Sequence, residues 1–492
     1  MRICFFVYAP QKGLLCGIAK ELETRGHEPV FLARDGGVAE VIRHHFPRIG
    51  PERLVVLSEL SLPPVADLLQ ECLRRERKYG ETFATLVSQD RTLGKGYLLN
   101  APGYPDSLRA WWGRERKYAD VLTHFRRYEA VLDALVPDMA VGVALPRTAH
   151  LICQSRNIPV RILTPPRFGN LYRWTVDDTE QCPLLTRALS RRVDEFAAAS
   201  ELPRTELEQT GFAQYFFAKY RYDYSSAIKK ALHRLVMESY QLCRGTHWRC
   251  AGGIRFLGWN RAILRKPYIY RYFLCHGVRP DGLTGSRVVL FPLHVEPEAS
   301  LLNLSSEMNN SMELIAWVSK TLPADAVLVV KEHPDSFGLR PRSYYDDLRR
   351  MANVVVAHPH VSGREWINRC NLVANIASTM GFEAVAMEKP VLSFGAHQVI
   401  NGLPTVVFAD SFRATREGVR FLLDDSGDRQ RLLGVSRAAL DAAFKDVCFD
   451  LSGYEAVFKS TSLHMDMART ALDNLAREFP ALASSSGGGQ AV

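Results

Sequence analysis

A chain of 492 residues, 47% hydrophobic and 23% charged, can bury large cores, and its length favours two or three domains. Nowhere do about 18 apolar residues run uninterrupted, which argues against a spanning helix. The formal net charge of +9 comes with no recognisable nucleic-acid motif, so the charge alone does not make a nucleic-acid binder.

The opening MRICFFVYAP reads as a first β-strand (Arg2–Tyr8) and not as a secretory signal. A helix over Lys12–Arg25 and a strand over Pro29–Ala33 complete a β-α-β start, the usual opening of a doubly wound domain. It carries no GxGxxG, so the dinucleotide fingerprint is absent. Helices follow over Pro63–Arg77 and Tyr104–Leu135, then a strand at Met139–Val143, a helix at Thr148–Asn157 and a strand at Val160–Leu163. Residues 1–180 are therefore expected to form an N-terminal Rossmann-like domain. The ten cysteines are scattered without a CxxC pair, which suggests reduced thiols in a cytoplasm.

Residues 181–285 show helical pattern without strand alternation, and 181–281 hold 17 Lys and Arg against 8 Asp and Glu. This one stretch accounts for the whole net charge. It is also rich in aromatics, among them Tyr215, Phe216, Tyr222, Tyr224, Tyr268, Tyr270 and Tyr272. A basic, aromatic surface suits an anionic membrane or a phosphorylated acceptor. The plain alternative is a helical connector with a solvated basic face.

The β pattern restarts at Arg287–Phe291 and opens a second α/β domain, 286–425. Its most informative stretch is 327–398. Strands at Val327–Val330, Val354–Ala357, Leu372–Ile376 and Pro390–Phe394 read as buried parallel strands, each ending in polar or small residues. Open α/β sheets hold ligands at such carboxyl ends. The turn Ser378-Thr379-Met380-Gly381 opens a helix and offers hydroxyls and N–H groups to an anion. Helices over Ser411–Asp424, Arg429–Phe444 and Leu463–Glu478 are expected to finish the domain, with 426–482 as C-terminal helices and 483–492 a disordered tail.

Four motifs recur in a fixed order: FPLHVEPEAS (291–300), KEHP (331–334), the Thr379-Met380-Gly381-Phe382-Glu383-Ala384 turn, and EKPVLSFG (388–395). Together they resemble the bacterial capsule polysaccharide biosynthesis family, which includes the Kdo transferases that start capsule chains on a lipid. The likeness is good from about 287 to 400. It is weaker over the first domain, where ERKYGETF, SQDR and PPRFGN look similar. The resemblance implies the GT-B architecture, two doubly wound domains facing a cleft, and a nucleotide sugar as donor. His-Pro with a Ser/Thr pair is also similar to bacterial sialyltransferases, which use CMP-activated sugars, so CMP-Kdo or another CMP-linked sugar is the implied donor.

The implied donor-binding set is Lys331, His333, Pro334, Ser378, Thr379, Gly381, Glu383, Glu298 and Arg167. Hydroxyls, N–H groups and an imidazolium would stabilise the charge that develops on a nucleotide leaving group. Each also has a structural alternative: a surface-loop His333, an N-capping Ser378, a helix-capping Glu383, a solvated Lys331. Transfer needs a carboxylate as base or nucleophile. Asp90 is the first candidate and Glu76 the second, with His294 also assigned to the catalytic set. No convincing DxD loop is present, so the expected chemistry is metal-independent, with no cofactor.

The expected protein is a cytoplasmic glycosyltransferase, peripheral at the inner face of the bacterial inner membrane. Its partners would be a nucleotide-sugar donor and a lipid-linked or polysaccharide acceptor, with no nucleic acid. Three alternatives stay open: a nucleotide-sugar enzyme of the UDP-GlcNAc 2-epimerase kind, a non-catalytic capsule assembly or export partner, and a polyol-phosphate transferase with a CDP-linked donor.

Overall fold

The computed structural model describes residues 1–8, 11–90, 92–94, 112–164, 167–203, 222–243, 256–296, 298–424, 428–451, 453 and 460–483. The strands are β1 (Arg2–Val7), β2 (Glu28–Ala33), β3 (Leu54–Val56), β4 (Met139–Gly142), β5 (Val160–Thr164), β6 (Leu171–Thr175), β7 (Arg287–Pro292), β8 (Ala326–Lys331), β9 (Val354–Val356), β10 (Leu372–Asn375), β11 (Val391–Ser393), β12 (Val406–Phe408) and β13 (Phe449–Asp450). The helices are α1 (Lys12–Thr24), α2 (Gly36–His45), α3 (Leu68–Tyr79), α4 (Phe83–Gln89), α5 (Arg114–Leu135), α6 (Arg147–Ser155), α7 (Pro183–Ala198), α8 (Tyr224–Cys243), α9 (Phe256–His276), α10 (Ala299–Leu304), α11 (Ser311–Thr321), α12 (Arg342–Arg350), α13 (Gly363–Arg369), α14 (Thr379–Ala386), α15 (Phe412–Leu423), α16 (Arg429–Val447) and α17 (Met465–Ala476). The helix expected from 104 begins at Arg114, with 104–111 outside the described residues.

Contacts divide the chain into two compact units. One comprises Met1–Leu86, Tyr118–Leu185 and Phe444–Val492; the other Val87–Lys117 and Thr186–Ala443. Each is α/β and Rossmann-like. In the first, the sheet order is β13-β6-β5-β4-β1-β2-β3, with β1 to β5 parallel. Strand β6 runs antiparallel to β5, and β13 antiparallel to β6. In the second, the order is β12-β11-β10-β7-β8-β9, wholly parallel. Read from the other edge this is 3-2-1-4-5-6, the doubly wound order whose switch point lies between its first and fourth strands. The strands are buried on both faces, which explains why β1 and β8 read as unbroken apolar runs.

Two features of the division differ from the sequence expectation. The last helix does not finish the second domain, because α17 packs on α1 in the first unit. Ala468, Ala471, Leu472 and Leu475 join Leu14, Leu15, Ile18 and Leu22 in one core, and the Trp174 indole N–H donates to the Ala471 carbonyl at 2.8 Å. Nor is 181–285 a mere connector: Ile269, Tyr272 and Phe273 of α9 lie in the core of the second unit. No strand pattern marks them, so only their spacing on one helical face hinted at burial.

The approach to α17 is close. A Cβ on Gly17 would meet the Leu463 carbonyl oxygen at 2.0 Å. We expect Gly17→Ala to cost about 2 kcal/mol, the usual scale of overpacking. A lowered denaturant midpoint for the first unit would show it; an unchanged midpoint would mean the contact gives way freely.

Candidate functional site

The second sheet places its switch point between β7 and β10, and three of the four motifs named above lie at the carboxyl ends of β7, β8 and β10, the fourth holding β11. Strand β7 runs out at Pro292, so His294 and Glu296 stand just past its end. Strand β8 ends at Lys331 and hands over to a single 3₁₀ turn, Pro334–Ser336, capped by His333. Strand β10 ends at Asn375, and Ser378 caps α14 by accepting the Met380 N–H at 3.1 Å.

These ends are pinned by one buried ionic network. Arg340 is 1% exposed, and its Nη1 donates to both oxygens of Glu332 at 2.7 and 2.8 Å. Its Nη2 donates to the His294 carbonyl at 2.7 Å and lies 3.1 Å from the Glu296 carboxylate. Tyr345 donates to Glu332 at 2.5 Å, Ser311 donates to Glu296, and the His333 N–H donates to Glu332 at 2.7 Å. Burial disfavours charge on Arg340, but Glu296 and Glu332 outweigh it and hold the guanidinium ionised. One cation thus compensates two buried carboxylates just past the ends of neighbouring strands.

His294, expected in the catalytic set, reaches across the switch point. The ring is 5% exposed, and its Nε2 accepts the Ala377 N–H at 3.2 Å. That bond requires the ring proton on Nδ1, which faces the Glu298 carboxylate at 3.8 Å. His333 differs from expectation in charge. Burial pulls its pKa below the ordinary value against Asp335, Glu298 and Glu332, so it is a neutral imidazole and not an imidazolium at pH 7. Its Nδ1 accepts the Asp335 N–H at 3.2 Å, leaving the hydrogen on Nε2 as a donor.

Lys331 is no solvated strand end. It is 8% exposed, and among the described residues no carboxylate lies within ion-pair distance of it. Burial lowers its pKa to about 8, partly offset by Glu332 and Glu365. It lines a cavity of about 310 Å³ whose walls include Tyr222, Tyr270, Phe273, Phe337 and His360. Pro334 also lines it, and its carbonyl accepts the Tyr222 hydroxyl at 2.8 Å. Tyr270 and His360 are hydrogen-bonded to each other at the same cavity.

The turn at β10 is more self-contained than an open anion cradle. The Ala377 N–H goes to His294, the Ser378 N–H to Asn375 Oδ1 at 2.9 Å, and the Gly381 N–H to the Ser378 carbonyl at 3.2 Å. Gly381 serves packing: a Cβ there would come 2.5 Å from the Asn375 side chain. Glu383 accepts from Thr379 Oγ1 at 3.5 Å and makes no capping box with Ser378. Arg340, Asn375 and Gln398, which accepts from Asn375 at 3.2 Å, escaped the sequence reading. The one available signal was a lone Arg between Leu339 and Pro341 shortly after a buried strand.

The remaining candidates have local structural partners. Asp90 Oδ1 accepts from the Thr92 N–H and hydroxyl at 2.7 and 2.6 Å and from the Leu93 N–H at 3.0 Å. Its neighbour Arg91 lies outside the described residues. Glu76 Oε1 accepts the Phe83 N–H at 2.8 Å, tying α3 to the start of α4. Arg167, in the first unit, pairs with Glu180 at 2.6 Å, as does Arg173 at 3.0 Å. Burial raises the Glu180 carboxyl, but Arg167 and Arg173 bring it below the ordinary range.

Residues 193–419 match the family described as capsule polysaccharide biosynthesis protein. No curated protein matches the chain. Among solved structures, a KpsC β-Kdo 2,7-transferase from Thermosulfurimonas dismutans is similar at 16% identity, over 60% of this chain and 80% of that one, with a TM-score of 0.30. A MnaA–UDP complex from S. aureus is similar at 11% identity, over 91% and 95%, TM-score 0.29. The spinosyn rhamnosyltransferase SpnG is similar at 13% identity, over 89% and 96%, TM-score 0.27. Such distant likenesses say nothing of this chain's chemistry. Residues 193–419, which hold the whole second sheet and its pinned strand ends, are thus similar to the capsule polysaccharide biosynthesis family.

Proposed function

We propose that the chain is a glycosyltransferase of capsule or surface polysaccharide synthesis, taking a sugar, with Kdo the first candidate, from a CMP-linked donor to a lipid-linked or growing glycan. The observation that carries this is the buried Lys331 ammonium, which has no carboxylate within ion-pair distance among the described residues and lines an aromatic-walled cavity at the strand end that leads into His333. A volume of about 310 Å³ is at the small end of ligand sites and takes a nucleoside-sized group. The aromatic rings suit a flat base. Lys331 and His333 donate to a phosphate, which supplies the missing counter-charge and stabilises the nucleotide as it leaves.

His294, Glu296, Glu332 and Arg340 act as positioning residues, fixing the strand ends from which Lys331 and His333 project. Asp90 remains the first candidate base and Glu76 the second, each through the carboxylate oxygen not engaged by a backbone turn. The Ser378 and Thr379 hydroxyls complete the donor side.

A thermal-shift comparison tests the donor. CMP at about a hundredfold excess over Kd should add about 2.7 kcal/mol of stability, and UDP less. His333→Ala should remove most of the CMP response. Equal shifts with both nucleotides, or none, would sink the CMP assignment. Asp90→Asn keeps a carbonyl oxygen for the Thr92 and Leu93 bonds, so transfer should vanish while the CMP shift persists. Retained transfer moves the base elsewhere, and donor turnover without acceptor favours an epimerase-like enzyme.

A further inference from the structure

Helix α8 presents an apolar face that no described residue of the second unit covers. Its contact side is small: Ala227 and Ala231 are buried, and the helix packs on α9. Turning away from that side, Tyr224, Ile228, Leu232, Leu235 and Val236 are each 40–65% exposed. At 100° per residue these five fall within an arc of about 120°, interleaved with the small Ser225 and Ser239. Single exposed apolar residues are ordinary, but a group of five on one helix face marks a binding surface.

The charges say what it binds. Lys229 and Lys230 are exposed along the polar side of α8, with Arg234 half-buried beside them, and Glu238 is the one carboxylate in the helix sequence. Neighbouring α9 adds exposed Arg261 and Arg271, together with exposed Leu264 and Tyr268. A second copy of this face would set like charges against each other. An anionic lipid surface complements it, because phosphates meet the cations while acyl chains receive the apolar arc. Among the described residues no helix is long and apolar enough to cross a membrane, so α8 would lie in the interface plane. Its 20 residues span about 30 Å of that plane.

We propose that α8 docks the protein on an anionic bilayer, with the Tyr224–Val236 arc embedded among lipid tails and the Lys229, Lys230 and α9 cations at the headgroups. The inference stands apart from the donor assignment, since it uses none of the cavity residues. It concerns the surface that would bring a soluble donor site to a lipid-linked acceptor.

Vesicle flotation of the full chain provides the test. Wild-type protein should float with phosphatidylcholine vesicles containing phosphatidylglycerol, and much less with phosphatidylcholine alone. Leu232→Ser/Val236→Ser alters two exposed positions and should weaken partitioning about tenfold or more while leaving the thermal midpoint unchanged. Lys229→Glu/Lys230→Glu, a second and independent variant, should lose the preference for anionic vesicles and the sensitivity to salt. Failure of wild type to float with anionic vesicles, even at low salt, would overturn the proposal. So would equal flotation of both variants. Sedimentation of wild type as a dimer that Leu232→Ser/Val236→Ser dissociates without lipid would replace it with self-association.

Discussion

Arg340→Met is expected to destabilise the second unit by about 3–5 kcal/mol, because it strands Glu296 and Glu332 as uncompensated buried carboxylates. Both carboxylates are nearly inaccessible, and Arg340 supplies the ion pair for each. The loss should appear as a lower denaturant midpoint for the transition of that unit. One control separates charge from packing. Arg340→Met combined with Glu296→Gln and Glu332→Gln should recover a large part of the loss, since neutral amides need no cation. A single-variant cost below about 1 kcal/mol would mean that water or another group already compensates the acids.

The second large effect has the opposite sign. Lys331→Met should make the protein more stable and a poorer binder of nucleotide. The fall in the Lys331 pKa from the ordinary lysine value of 10.5 to about 8 corresponds to about 3 kcal/mol at neutral pH. The direction follows from proton counting. Between pH 8 and 10.5 the unfolded chain holds a proton on this lysine that the folded chain has released, so stability rises with pH across that window. Below pH 8 both states are protonated and the full penalty stands. The methionine variant should therefore exceed wild type by a constant margin below pH 8, with the gap closing towards pH 10.5. Removing a charged donor should weaken CMP binding by about tenfold or more. Calorimetry across pH with a nucleotide titration reads both effects. A variant no more stable than wild type at pH 7 would show that the buried ammonium is compensated in the folded state.

The division between legible and hidden follows the physics of each signal. Strands β1, β2, β4, β5 and β7 to β11 announce themselves because burial on both faces demands unbroken apolar runs, and the polar residues closing β8 and β10 mark the ligand edge. Strand β6 escaped because Tyr172-Arg173-Trp174 mixes a buried arginine into the run, and β13 because two residues carry no periodicity. Helix α2 was hidden by Gly36-Gly37, which read as a turn until Asp35 is seen accepting the Val38 N–H at 3.1 Å. At the site, sequence order brought Lys331, His333 and Ser378 to one edge of the sheet. It could not show that Lys331 is buried or that His333 is neutral, because both depend on neighbours distant in sequence. Arg340 is the clearest case, since its partners Glu296, His294 and Glu332 only meet once β7 and β8 have paired.

The placement of α17 bears on how the chain is made. A ribosome releases the first unit's strands and α1 early, yet the helix that covers Leu14, Leu15 and Ile18 emerges only after residue 465. The second unit, from Thr186 to Ala443 with the short 87–117 excursion, is already complete by then. The part begun first is thus the last to have its full chain. Until then its uncovered apolar helix is the natural holding point for a chaperone.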